Sequence, residues 1–194
     1  MKIKTLISGK LDNNTYILCN DDNEFILIDA AAELQDIQAR TEDMKLLGII
    51  LTHGHYDHFE NLENIMNFYN VKCYLTEPEL EKLYNPKGNY SIVFNKFVIC
   101  KQPRENFVVL GEREEFELGS FKIKTFVTKG HTNGGICIEV DDALFTGDTK
   151  FAHTYGRTDL LTGSSEDMQQ SLKYLEENYK GRQFYPGHGS SGII

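Results

Sequence analysis

Between Thr52 and Glu60 the chain reads THGHYDHFE, so His53, His55, Asp57 and His58 fall within six residues, directly after the apolar run Leu46 to Leu51. At this composition a single such pattern has a chance expectation of roughly 3 in 10,000, which makes accident a poor account of it. Three imidazoles and a carboxylate crowded at the end of a buried strand suit a metal site. They also constrain the fold, because that strand end must lie where other segments can bring further donors. Three candidates follow strand-like runs in the same way. His131 in KGHTNGG follows Phe121 to Thr128, Asp148 in FTGDT follows Ala143 to Phe145, and His188 in YPGHG follows Phe184 to Tyr185. Strand ends converge on one rim of a sheet, which lets residues distant in sequence meet.

With 194 residues, 40% of them hydrophobic, and no Pro/Gly/Ser linker, the sequence predicts a single domain over residues 1–194 with a substantial core. A formal net charge of −9 and the lack of a polybasic stripe argue against a nucleic-acid partner, since binding a phosphate backbone needs clustered Lys and Arg. The expected partner is a small-molecule substrate. No apolar run approaches the ~18 residues of a membrane span, so no membrane association and a cytoplasmic location are expected. Cys19, Cys73, Cys100 and Cys137 are widely spaced without a CxxC pair and read as reduced core thiols. Nothing in the sequence bears on oligomeric state.

Strand patterns cover Met1 to Ile7, Tyr16 to Cys19 and Phe25 to Asp29, with Asp12, Asn13 and Asn14 read as turn residues. Ala31 to Glu42 reads as a helix and Leu46 to Leu51 as a buried strand. Phe59, Leu62, Met66 and Tyr69 recur at helical spacing, which sets Asp57 and His58 near a helix N-terminus. After a strand over Val71 to Leu75, Thr76 and Glu79 form a capping-box pattern that predicts a helix over Glu77 to Tyr84. The second half is β-rich, with strands expected at 107–110, 114–118, 121–128, 135–140 and 143–145. A helix capped by Ser164 or Ser165 and a last strand then lead to His188. The segment Asn85 to Asn106 lacks periodicity and suggests a lid over the cleft carrying Tyr90 and Phe94; a strand over Ile92 to Cys100 is the competing expectation.

The motifs HGHYDH, GH at 130–131, GD at 147–148 and PGHG at 186–189 occur in the order and at about the spacing of the metallo-β-lactamase superfamily, which this chain resembles over nearly its whole length. The resemblance implies an α/β fold, a four-layer αββα sandwich of two mixed sheets packed face to face with helices outside. It further implies two divalent metal ions, zinc ahead of iron or manganese. By the same resemblance His53, His55 and His131 would hold the first ion and Asp57, His58 and His188 the second, with Asp148 bridging. Two such ions share a water and lower its pKa, and the resulting metal-bridging hydroxide would attack an acyl carbon, with Asp57 orienting it and taking up a proton.

The run GDTKFAHTYGRTDL followed by YPGHG is similar to the glyoxalase II-like hydrolases, which implies thioesters or related small acyl esters as substrates. Arg157 in that run is a candidate contact for an anionic substrate, although an ion pair with Asp159 that braces the loop is the simpler reading. His153 matches no ligand position. Asn133 and Thr132 follow His131 closely and could orient it or the substrate. The extra C-terminal helical domain of glutathione-binding glyoxalase II enzymes has no counterpart among these residues, so S-lactoylglutathione is not favoured over other thioesters. Two alternatives stand beside this reading. One is a persulfide dioxygenase with a single iron at His53, His131 and Asp148; the other is a non-catalytic metal-binding module.

Overall fold

In a computed structural model covering residues 1–194, a meander of β1 (Lys2–Ser8), β2 (Asn13–Cys19) and β3 (Glu24–Ile28) opens the first sheet. Strands β4 (Lys45–Ile50), β5 (Cys73–Thr76) and β6 (Phe107–Leu110) extend it in parallel from β3, in the spatial order β1-β2-β3-β4-β5-β6. Helices α1 (Leu34–Thr41), α2 (Tyr56–Phe59), α3 (Leu62–Tyr69) and α4 (Glu77–Leu83) lie in the connections. The second sheet holds β7 (Arg113–Leu118), β8 (Phe121–Val127), β9 (Ile136–Val140) and β10 (Ala143–Gly147) as an antiparallel run. Helix α5 (Ser165–Tyr179) then crosses to β11 (Gln183–Pro186), which pairs in parallel with β10, and β12 (Gly192–Ile193) closes that edge.

Side-chain alternation on the strands builds three cores, and three cores make four layers. Ile17, Phe25, Leu27, Ile49 and Leu51 face outward onto Ile37 of α1, Leu62 and Met66 of α3, and Leu80 of α4. Their neighbours Tyr16, Leu18, Ile26, Ile28 and Ile50 face inward onto Phe121, Ile123, Ile138 and Phe145 of the second sheet. Phe126, Cys137, Leu144 and Phe184 cover the far side, against Leu175 of α5. A strand buried on both faces reads as a continuous apolar run, as β3 and β4 do. The αββα expectation therefore holds. All four cysteines are free and buried, and no helix is long and apolar enough to cross a membrane.

Several boundaries differ from the sequence reading, each for a local reason. The first helix starts at Leu34 rather than Ala31, because the Ala31 and Ala32 amides donate to Thr15 Oγ1 at 3.1 Å each and are diverted from a helical path. The helix expected from Phe59 to Tyr69 is split into α2 and α3. Asn61 marks the break, its side chain donating to the Ala31 carbonyl at 2.7 Å and its amide to Ala30 at 3.0 Å. Asn13 and Asn14 belong to β2 and are buried, not in the turn. Thr76 does sit at the N-cap of α4 but makes no cap hydrogen bond, so the capping box is not formed. Strand β6 joins the first sheet, not the β-rich second half. Ile92 to Cys100 forms no strand. The segment from 85 to 106 is irregular, with single 3-10 turns at Ser91–Phe94 and Arg104–Asn106.

Candidate metal centre

Strand ends from both sheets meet at one rim of the sandwich. β4 delivers Thr52 and His53, and the chain then turns through Gly54 and His55 into α2, which carries Asp57 and His58. From the second sheet come His131 beyond β8, Asp148 beyond β10 and His188 beyond β11. The donor atoms fall into three groups whose members lie within 4.8 Å of one another: His53, His55 and His131; His53, His58 and Asp148; and Asp57, His58 and His188. In the first, His53 Nε2 and His131 Nε2 stand 3.0 and 2.9 Å from His55 Nδ1. Asp148 lies between the groups, with Oδ2 3.4 Å from His131 Nε2 and 3.6 Å from His188 Nε2, and Oδ1 3.5 Å from His58 Nε2.

Two buried atoms test whether these residues fit a cation. His58 Nε2 and Asp148 Oδ1 face each other at 3.5 Å, buried and without a hydrogen-bond partner. Buried polar atoms normally have one, so a gap lined by such orphans suits a bound ion. The second ring nitrogens of His58, His131 and His188 are already engaged, which fixes how those imidazoles point, whereas His55 Nε2 is buried without a partner. His58 Nδ1 donates to Asp29 Oδ2 at 2.7 Å, His131 Nδ1 to the Arg157 carbonyl at 2.8 Å, and His188 Nδ1 to the Leu11 carbonyl at 2.8 Å. Gly187 leaves room for the carboxylate, since a Cβ there would come within 2.3 Å of Asp148 Oδ1 and displace it.

Electrostatics separates the imidazoles. Burial, reinforced by the neighbouring imidazoles, pushes His53 and His55 well below the usual histidine range, so both are neutral donors. Burial would lower His58 as well, but Asp29, Asp148 and Asp57 outweigh it and raise His58 to about 10. His188 is also raised, against its burial, by Asp57 and Asp148. The Asp57 carboxylate, although burial opposes its charge, is held well below its ordinary value by His58 and His188.

The sequence model of the metallo-β-lactamase superfamily matches residues 8–188. This chain belongs to that superfamily. Among its relatives, a probable metallo-hydrolase of Streptococcus pyogenes is 34% identical, across all of this chain and 86% of that protein. A probable polyketide biosynthesis zinc-dependent hydrolase of Bacillus velezensis, BaeB, is 31% identical over 91% of this chain and 72% of its own. Among solved structures, the B3 metallo-β-lactamase BLEG-1 superposes with a TM-score of 0.92 at 25% identity, covering 99% of this chain and 94% of that one.

Within this superfamily fold the seven motif residues come together, whereas the proposed substrate contacts scatter. Tyr90 presents its ring edge-on to His55, centroids 5.2 Å apart, and its hydroxyl accepts from the Leu161 amide. Phe94 packs on Tyr56 instead, 5.3 Å between centroids, and is half exposed. The Arg157 side chain is paired with Asp159 at 2.7 Å through Nε and a terminal nitrogen, as the bracing reading expects; only its carbonyl reaches His131. Asn133 is exposed and accepts from Lys82 Nζ at 2.7 Å, while His153 is exposed. Asp29 is the residue the motif search missed. Its carboxylate accepts from the Thr52 amide at 2.8 Å and the Thr52 hydroxyl at 2.9 Å besides His58. The signal was present, because Asp29 ends the apolar run Phe25 to Ile28 much as Asp148 follows Ala143 to Phe145.

Proposed function

We propose that this protein hydrolyses thioesters or related small acyl esters at a two-ion site, with His53, His55 and His131 holding one divalent ion, Asp57, His58 and His188 the other, and Asp148 shared. The observation that carries this reading is the pair of donor sets with Asp148 between them, its orphaned Oδ1 facing His58 Nε2. Divalent ions there would acidify a water and polarise an acyl carbonyl. The imidazole and carboxylate set suits zinc, iron or manganese alike, and zinc is put first on the support of the zinc-dependent relative of B. velezensis.

The chain's own residues have distinct parts in that chemistry. Asp57 stays ionised across the working pH range, so its carboxylate is a standing hydrogen-bond acceptor that can orient the attacking water. No Ser or Cys nucleophile is required, and all four thiols are buried. A groove of about 640 Å³ lined by Pro78, Lys82, Tyr84, Asn133 and Leu161 adjoins the Tyr90 contact and is large enough for one arm of a small substrate. Tyr90 and the irregular segment around it serve as a partial lid. The partner is a small molecule, in keeping with the acidic net charge.

A panel of thioesters, lactones, phosphodiesters and glutathione persulfide, run on protein of measured metal content, tests the reading. Thioester cleavage should dominate, vanish with a chelator and return with zinc. Oxygen consumption on the persulfide without thioester turnover would refute it in favour of iron-dependent oxidation.

A further inference from the structure

We propose that Thr76, Glu79 and Lys82, where β5 passes into α4, form a clamp that positions the two loops carrying His53, His55 and His131, and thereby set how tightly that triad alone binds a divalent ion. The proposal rests on the two-ion reading above and names positioning residues for it.

Two members of the clamp, Thr76 and Glu79, are side chains that the capping-box pattern would have assigned to α4 itself. Thr76 Oγ1 donates instead to the Gly134 carbonyl at 2.7 Å. Glu79 accepts at Oε2 from the Gly54 amide at 2.7 Å and at Oε1 from Lys82 Nζ at 2.8 Å. Lys82 Nζ also donates to Asn133 Oδ1 at 2.7 Å and to the Pro78 carbonyl at 3.2 Å. Gly54 is the residue between His53 and His55, and Asn133 and Gly134 lie just after His131. The N-cap and first two turns of α4 therefore grip both loops of the first triad. The approach is close: a Cβ at Gly54 would sit 2.6 Å from the Glu79 carbonyl oxygen, and one at Gly134 would sit 2.7 Å from Thr76 Oγ1.

Both charges of the pair are buried, Glu79 at 1% and Lys82 at 5% exposure. Desolvating two ions offsets most of their attraction, so a buried pair is a poor source of stability, and fixing geometry is a better account of it. The second group of donors is held by other means, His58 by Asp29 and His188 by the Leu11 carbonyl. Loosening the clamp should therefore affect the first triad selectively.

Cobalt(II) titration of the metal-free full-length protein, followed by paramagnetically shifted imidazole N–H signals, reports the His53, His55 and His131 site separately from the His58 and His188 site. Lys82→Met, which strands the Glu79 carboxylate, should weaken the first site about tenfold, the low end expected for lost outer-shell support, and leave the second within about twofold. The double variant Glu79→Gln/Lys82→Met keeps a neutral acceptor for the Gly54 amide and should recover most of that loss. Asn133→Ala, at an exposed position, cuts only the tie to the His131 loop and keeps the test open if Lys82→Met misfolds; about threefold weakening at the first site is expected. Equal weakening at both sites, in step with a lower Tm of the metal-free protein, would overturn the clamp, as would unchanged first-site affinity in Asn133→Ala and Lys82→Met. A wild type that binds one ion at the first triad would sink the two-ion reading instead, while the same variants still test the clamp there.

Discussion

Asp29 connects two parts of the site that lie far apart in the chain, reaching Thr52 and His58 at separations of 23 and 29 residues. It holds His58 Nδ1–H and leaves Nε2 free to face Asp148. Asp29→Ala should therefore weaken metal at the Asp57, His58 and His188 group about 10- to 100-fold, the range for lost support behind a ligating imidazole. It should also lower unfolding free energy by about 3 kcal/mol, since His58 loses its buried partner; chelator competition and urea unfolding read the two effects. His58 supplies a pH prediction as well. Because His58 is raised to about 10, it carries a proton in the metal-free protein at pH 8, and a metal ion must displace it from Nε2. Zinc binding at pH 8 should thus release at least one proton, and affinity should climb as pH rises toward 10. Calorimetry in buffers of different ionisation enthalpy counts those protons, and none released would contradict the assignment. The seven motif residues were legible because their spacing is local or follows a strand end. Asp29 shares the strand-end placement, but its role behind His58 was not legible, because its partners become neighbours only when β3 and β4 pair.

At the scale of elements, two caps read by the same rule had opposite outcomes. Ser164 caps α5, its Oγ accepting from the Asp167 amide at 3.2 Å. Ser164→Ala should cost about 1 kcal/mol in urea unfolding, with metal content unchanged; a loss of metal would show that this cap also shapes the loop around His131. Thr76 occupies the same position on α4 and leaves its helix uncapped, because it lies among buried loops whose carbonyls and amides also need partners. At the start of α5 the neighbouring Gly130 carbonyl is already met by the Ser164 amide at 2.8 Å, which leaves the Ser164 hydroxyl to its own helix. The same competition split the helix after the HGHYDH motif, where Asn61 is drawn to Ala30 and Ala31. Local pattern identifies an element well where its end side chains are left to the element itself and poorly where neighbouring backbone takes them.

For the whole molecule, the two sheets are joined at the rim that carries the His and Asp cluster by polar contacts rather than by the core. Asn14 Nδ2 donates to the carbonyls of Pro186 and Gly189 at 3.0 and 2.9 Å, and the Tyr16 hydroxyl donates to Pro186 at 2.6 Å. Ions held by residues from both sheets would add to that junction. An ion present at a hundred times its dissociation constant contributes about 2.7 kcal/mol, so a chelator should lower Tm by roughly 5 to 10 °C. Scanning calorimetry with and without the chelator measures the shift, and an unchanged Tm would argue against ions that bridge the sheets. Spacing along the chain already carries the alternation that makes strands two-faced, the order of the elements and the identity of the seven candidate donor side chains. Only the tertiary structure decided which strands share a sheet, that Asp29 stands behind His58, and that Glu79 and Lys82 reach the loops of the first triad. Those are contacts between segments whose proximity is fixed by burial and hydrogen-bond satisfaction across the whole fold, and no window of local sequence carries them.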